Sequence, residues 1–259
     1  MSALRIERDG PVLRVTMAKP ERRNAFDAAL IADLTGAFAD VGDVRAVVLS
    51  GDGASFSAGA DVEWMRSSVD LSYEENVADA LRLRGMLEAI DSCPAPVVAR
   101  VQGHALGGGC GLVACCDVAV AEPGAQFAFS EVKLGIVPAV ISPFALAKIG
   151  SGAARRYFVT GERFGADVAL RIGLVHELAD DLDAAVDRIV AELLAAGPDA
   201  ARAAKELARA PLSAGETAER IAARRTSAEG QEGLRAFLEK RPARHPDDGS
   251  SWGVYGRDT

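Results

Sequence analysis

Short apolar runs and longer amphipathic stretches alternate through the first two thirds of the chain. "LRIERDG" and "VLRVTMA" read as two short strands divided by the turn Gly10-Pro11. In "NAFDAALIADLTGAFADV" the apolar positions Ala29, Leu30, Leu34, Ala37, Phe38 and Val41 follow helical spacing. "VRAVVLSGDG" is an apolar run closed by glycines, hence a buried strand, and "SYEENVADALRLRGMLEAIDSCP" predicts a long amphipathic helix stopped by Pro94. "APVVARVQG" predicts the next buried strand, "GHALGGGCGLVACCD" a loop entering a helix, and "DVAVAEPGAQFAFSEV" two strands joined by a Pro-Gly turn. After about residue 180 the pattern is helical only, through "DLDAAVDRIVAELLAAG", "PDAARAAKELARA", "AGETAERIAARRTSA" and "EGQEGLRAFLEKR". Strand-helix alternation followed by helices predicts an α/β core with a helical C-terminal region. The polar tail "PARHPDDGSSWGVYGRDT" is expected to be irregular.

Composition narrows the function classes. The 259 residues are 49% hydrophobic and 25% charged, as in ordinary globular proteins. With 37 acidic against 29 basic residues the net charge is −8, which argues against a nucleic-acid partner. No apolar run reaches the roughly 18 residues of a membrane span, and "MSALRIERDG" lacks the layout of a secretory signal. Cys93, Cys110, Cys115 and Cys116 show no CxxC and no His at ligand spacing. They are expected to be buried reduced thiols of a cytoplasmic protein without a metal site.

The run Gly107-Gly108-Gly109 is the strongest chemical signal. It fits neither the dinucleotide fingerprint nor the P-loop, and the GxSxG nucleophile elbow is absent. Two uses remain open. Glycine packs a helix tightly on its neighbour, or it lets the unpaired N–H groups of the first helical turn approach a ligand oxygen. A second small-residue loop after a buried strand, "GASFSAGADVEWM" (Gly53 to Met65), offers another N–H for the same oxygen.

"FSAGAD", "VQGHALGGGCGLVACCD", "FAFSEVKLGIVP" and "EGLRAFLEKR", in this order, resemble the crotonase (enoyl-CoA hydratase/isomerase) superfamily. The resemblance implies a spiral of repeated ββα units over residues 1–195, a helical trimerisation region over 196–241 and a tail over 242–259. It also implies a homotrimer or homohexamer, an acyl-coenzyme A thioester substrate with no other cofactor, and an enolate intermediate. By position, Ala60 and Gly108 match the two oxyanion-hole donors, each worth about 3–4 kcal/mol in studied cases. Ala58 is placed near the adenine of coenzyme A. Lys240 is placed near a phosphate, or is an ordinary exposed lysine, and Arg22 and Arg23 are further phosphate candidates.

Hydratases of the family typically carry two glutamates. This chain has Gly111 at the first place and Glu131 at the second. A glutamate after a strand also commonly caps a helix or pairs with a neighbour such as Lys133. With the family register, Glu131 is expected beside an apolar acyl pocket, its proton affinity raised for acid/base work. "GLVACCD" with "SEVKLGIVPAVISPF", which contains Pro138, resembles bacterial methylglutaconyl-CoA hydratases, where glycine at this place is normal and leaves room for a branched acyl group. Asp61 reads as a helix N-cap beside the first donor, and Trp64 and Met65 as pocket lining or core. Ala58, Asp61, Trp64, Met65, Gly111, Pro138 and Lys240 thus form the expected substrate-binding set. Nothing makes His104 a base, and Ser142 is a candidate for the acyl pocket. The expected activity is hydration of a 2-enoyl-CoA, methylglutaconyl-CoA-like first. The alternatives are a Δ3–Δ2 enoyl-CoA isomerase and a non-catalytic acyl-CoA binder.

Overall fold

The computed structural model describes residues 3–209, 211–244 and 251–252. The two N-terminal runs form a hairpin, β1 (Leu4–Asp9) antiparallel to β2 (Val12–Met17), with Gly10 in the left-handed region at the turn. β2 then pairs in parallel with β3 (Ala46–Gly51), β3 with β4 (Val97–Val101), β4 with β6 (Val118–Ala121) and β6 with β9 (Glu177–Leu178). Together they make a six-stranded sheet in the order β1-β2-β3-β4-β6-β9. β3, β4 and β6 are nearly unbroken runs of Val, Ala and Leu because parallel strands are covered on both faces.

A smaller sheet of β5 (His104–Leu106), β7 (Gln126–Ala128) and β8 (Phe164–Gly165) forms a second layer. Before α4 (Gly108–Cys115) and before α5 (Ser142–Thr160) the chain visits both sheets, through β4 and β5 and through β6 and β7. This is the ββα repeat that the resemblance implies. The bridge from Ser57 to Ala105 carries the second layer back to the segment after β3. At the corner between β4 and β5, Gly103 has φ 59° and a side chain there would meet the Ala54 carbonyl, so only glycine fits.

Three further helices complete this part. α1 (Ala28–Ala39) is capped by Asp27 and buries Leu30, Ile31, Leu34 and Phe38. α2 (Val62–Ser68) follows the first small-residue loop. α3 (Tyr73–Asp91) begins with a Ser72/Glu75 capping box and buries only its C-terminal half, through Met86, Leu87 and Ile90. α5 has Pro143 in its first turn and breaks at Gly150, which has φ 68° and ψ 165°.

The chain divides into two compact units, residues up to 93 with 97–186, and residues 94–96 with those from 187 onwards. The boundary falls within α7 (Leu182–Ala195), at whose end the sequence places the start of the helical region. The first unit also holds α6 (Ala166–Arg171). The second unit contains α8 (Pro198–Leu207), α9 (Ala214–Thr226) and α10 (Ala228–Leu238). Buried Glu229 accepts hydrogen bonds from the amides of Asp199 and Ala200, capping α8 from α10. Part of the tail expected to be irregular is ordered. β10 (Ala243–Arg244) pairs with β11 (Ser251–Trp252), because Trp252 packs with Ala236 and Ala243. Residues 245–250 and 253–259 lie outside the described residues. No described helix is long and apolar enough to cross a membrane.

Asn24 joins the turn after β2 to the loop after β3. Fully buried at φ 53°, it accepts from the Lys19 amide and donates to the Asp52 and Ser55 carbonyls. Asn24→Ala strands these groups and is expected to cost about 2–5 kcal/mol in urea denaturation.

Candidate active site

The two small-residue loops are stitched together residue by residue. The Phe56 amide donates to the Gln102 carbonyl, the Ser57 amide to His104, and the Leu106 amide to Ser57. This ladder brings Gly59, at φ 82°, against the glycine run, where a Cβ would stand 2.5 Å from the Leu106 oxygen and 3.3 Å from the Gly108 nitrogen. Each glycine of the run meets a different neighbour. Gly107 has φ 50° and faces the Glu131 carboxyl. A Cβ on Gly108 would lie 2.5 Å from the Phe26 ring, and one on Gly109 would lie 2.6 Å from the Ser57 oxygen. The packing reading of the glycines therefore holds, and the tightness brings backbone to backbone.

Ala60 is bracketed by bonds from the Phe26 amide to Gly59 and from the Asp61 amide to Phe26. Gly108 is the first residue of α4, where an N–H has no partner within the helix. Neither the Ala60 nor the Gly108 amide has an acceptor among the described residues, and both residues line one cavity of about 230 Å3. Two N–H groups with no acceptor among the described residues thus stand on adjoining loops at one cavity wall.

Glu131 opens a 3₁₀ turn, Glu131–Leu134, just after β7. The Gly107 amide donates to the Ala128 carbonyl, fixing the end of β7 beside the glycine run. The carboxyl lies over Gly107, with Oε1 3.3 Å from where a Cβ there would be. Oε2 is buried and has no hydrogen-bond partner among the described residues. Burial pushes the carboxyl above the usual glutamate range, opposed only by its own backbone amide. Phe26, Trp64, Met65 and the segment Ile136 to Ile141 give the cavity a largely apolar lining, and Ser68, Asn76 and Asp79 are its polar members besides Glu131.

The Enoyl-CoA hydratase/isomerase family profile matches residues 7–248 of the chain. The chain belongs to this family. It is 32% identical over 253 residues to the crotonyl-CoA hydratase of Syntrophomonas wolfei, covering 92% of this chain and 95% of that one. Its fold matches the crystal structure of an enoyl-CoA hydratase from Shewanella pealeana with a TM-score of 0.87 at 39% identity, covering 92% and 94% of the two chains. An enoyl-CoA hydratase structure from Mycobacterium smegmatis matches with a TM-score of 0.87 at 33% identity, covering 92% and 97%. The crotonase fold implied by the sequence motifs is thus present.

Within this family member, Ala60, Gly108, Glu131, Trp64, Met65 and Pro138 come together around the cavity. Other expected site residues do not line it. Asp61 is spent as the N-cap of α2, accepting from the Glu63 and Trp64 amides, and pairs with Arg22 at 3.1 Å. Although burial opposes this, the Glu63 amide and Arg22 hold its carboxyl below the usual range. The Ala58 amide donates to the Arg23 carbonyl. Ser142 lies outside this cavity and donates to the Ala139 carbonyl, and His104 Nδ1 sits 3.5 Å from Ser55 Oγ. Lys240 is an exposed residue of the second unit, at φ 54° after α10. All four cysteines are buried and free, and the Cys110 thiol donates to the Ala105 carbonyl.

Gly111 requires a correction. It leaves no room beside the substrate, because a Cβ on Gly111 would lie 2.6 Å from Ile141 Cγ2 and 3.6 Å from Leu87 Cδ2. Ile141, 2% exposed, fills that space and itself lines the cavity. Ile141 and Phe26 are site residues that sequence reading missed. So is the α3 face formed by Asn76, Asp79, Ala80 and Leu83. Its i, i+3, i+4, i+7 spacing was the available signal.

Gly111→Ala overpacks this contact and is expected to cost about 1–3 kcal/mol. In the Ile141→Ala background the cost should be smaller by at least about 0.5 kcal/mol, measured as a double-mutant cycle in urea. Glu131→Gln tests the burial of the carboxyl. A carboxyl whose pKa is raised by folding favours the native state below its unfolded pKa and disfavours it as pH rises through the folded value. Glu131→Gln is therefore expected to raise Tm at pH 7, with the gain shrinking as pH falls towards the ordinary glutamate value of 4.5. Scanning calorimetry across that range checks the sign.

Proposed function

We propose that the protein hydrates a 2-enoyl-CoA, with Glu131 as its single acid/base group. The thioester oxygen accepts hydrogen bonds from the Ala60 and Gly108 amides. Glu131 takes a proton from water as the water oxygen bonds to the β-carbon, and the π electrons move through the α-carbon to the thioester oxygen. The resulting enolate then collapses, taking a proton from the Glu131 carboxylic acid at the α-carbon. One water is added and Glu131 returns to its starting state. The observation that carries this reading is the meeting of two acceptor-free amides with a buried carboxyl in one apolar cavity. A raised proton affinity suits a group that must both accept and return a proton.

Coenzyme A enters as part of the substrate, and the reading includes no bound cofactor. It includes assembly as a homotrimer or homohexamer, supported by the exposed Leu207, Ile221, Leu234, Phe237 and Leu238 on the second unit's helices. The methylglutaconyl-CoA-like form of the reading rests on the sequence motifs. The cavity offers it no described cation for a distal carboxylate.

One observation favours a second reading, the Δ3–Δ2 isomerase. Ile141 puts an apolar side chain into the space that a side chain at position 111 would enter. A single proton-shuttling carboxyl facing an apolar side chain also suits proton transfer between two carbons.

The test is loss of the conjugated thioester absorbance of crotonyl-CoA. Glu131→Gln is expected to lower kcat by about 10²–10⁴-fold with a smaller change in KM. The wild-type acid limb of kcat/KM should lie above the pH of an ordinary glutamate and vanish in the variant. No water uptake by any 2-enoyl-CoA, with conversion of 3-hexenoyl-CoA, would replace the hydratase by the isomerase.

A further inference from the structure

The charges around the cavity define which acyl chains it accepts. Two ionisable side chains line it, Glu131 and Asp79, and both are acids; no Lys, Arg or His is among the described lining residues. Glu131 is accounted for by proton transfer. Asp79 stands on the cavity face of α3, where its side chain is 14% exposed. Its Oδ1 accepts from Arg82 Nη2 at 3.1 Å. Arg82 does not cancel this charge inside the cavity, because it is 62% exposed, does not line the wall and is screened by solvent. The next cation along α3, Arg84, is also committed. It pairs with Glu88 at 2.7 Å and lies over the Phe144 ring.

Resting on the thioester reading above, we propose that the cavity selects uncharged acyl chains and that Asp79 rejects chains ending in a carboxylate. Such a chain would lose its hydration against Trp64 and Met65, find no cation and face a like charge. A neutral chain of equal length meets no like charge, and its burial against the apolar side chains favours it.

Binding of two unreactive saturated thioesters tests this independently of turnover. Pentanoyl-CoA and glutaryl-CoA have five acyl carbons each and differ in one terminal carboxylate. Calorimetric titration of the full chain is expected to give at least about tenfold weaker binding of glutaryl-CoA. Asp79→Asn should reduce that ratio by at least about threefold, and Arg82→Ala, which removes the counter-ion, should widen it. A merely structural role for Asp79 would weaken both ligands alike and leave the ratio unchanged.

A wild-type ratio near one, or a ratio that neither variant moves, overturns the proposal. Absence of binding by both thioesters overturns it together with the thioester reading. The expected contrast without hydration of any 2-enoyl-CoA leaves the selectivity standing and removes only the hydratase.

Discussion

Two backbone N–H groups without partners, held on loops in near contact, are the constraint around which the rest of the first unit is arranged. Ala60 and Gly108 are half-buried at the cavity wall, and their surroundings over-determine where they stand. That determination is visible on every side. The ladder from Phe56 to Leu106 fixes the height of one loop against the other. Buried Asn24 ties the first loop to the turn before it, and Gln102 donates to the Gly51 and Gly53 carbonyls from behind. Gly59 and Gly109 remove the Cβ atoms that would hold the two backbones apart, and Gly108 the one that would strike the Phe26 ring. The parallel sheet supplies the platform, because β3 and β4 are neighbours and their C-terminal ends launch the two loops side by side.

The same architecture sets the electrostatics. The carboxyl over Gly107 is desolvated by burial and supported by its own amide, and its Oε2 meets no partner among the described residues. Desolvation is therefore the direct cause of its raised proton affinity, and the Phe26 ring against Gly108 contributes to that dry environment. Asp79 shows the contrast. It is also a carboxylate on the cavity wall, but its Oδ1 accepts a hydrogen bond from Arg82.

Much of this was legible in the residues. Strand-helix alternation identified β1 to β4, α1 and α3, because long apolar periods report burial on one face. The paired glycine loops and Glu131 stood out by composition and order. β5 was read as loop because three residues carry no period; it exists through its pairing with β7. The helix α5 was hidden by Pro143 and Gly150, which together look like turn chemistry. Asp61 illustrates ambiguity of another kind. Its place beside a donor suggested substrate contact, yet its oxygens are used by the α2 amides and Arg22.

Gly111 marks the limit of reading a site one position at a time. A glycine in place of a carboxylate looks like empty volume, but packed interiors do not leave a methyl-sized gap unfilled. Ile141, thirty positions later in the chain, supplies the missing surface from the start of α5. The two residues therefore act as one choice between a side chain projecting from α4 and one projecting from α5. Adding a carboxylate at 111 alone would collide with Ile141, and shortening Ile141 alone would open a cavity beside Leu87. What shapes the cavity on this side is the pair, and Ile141 is the member that lines it.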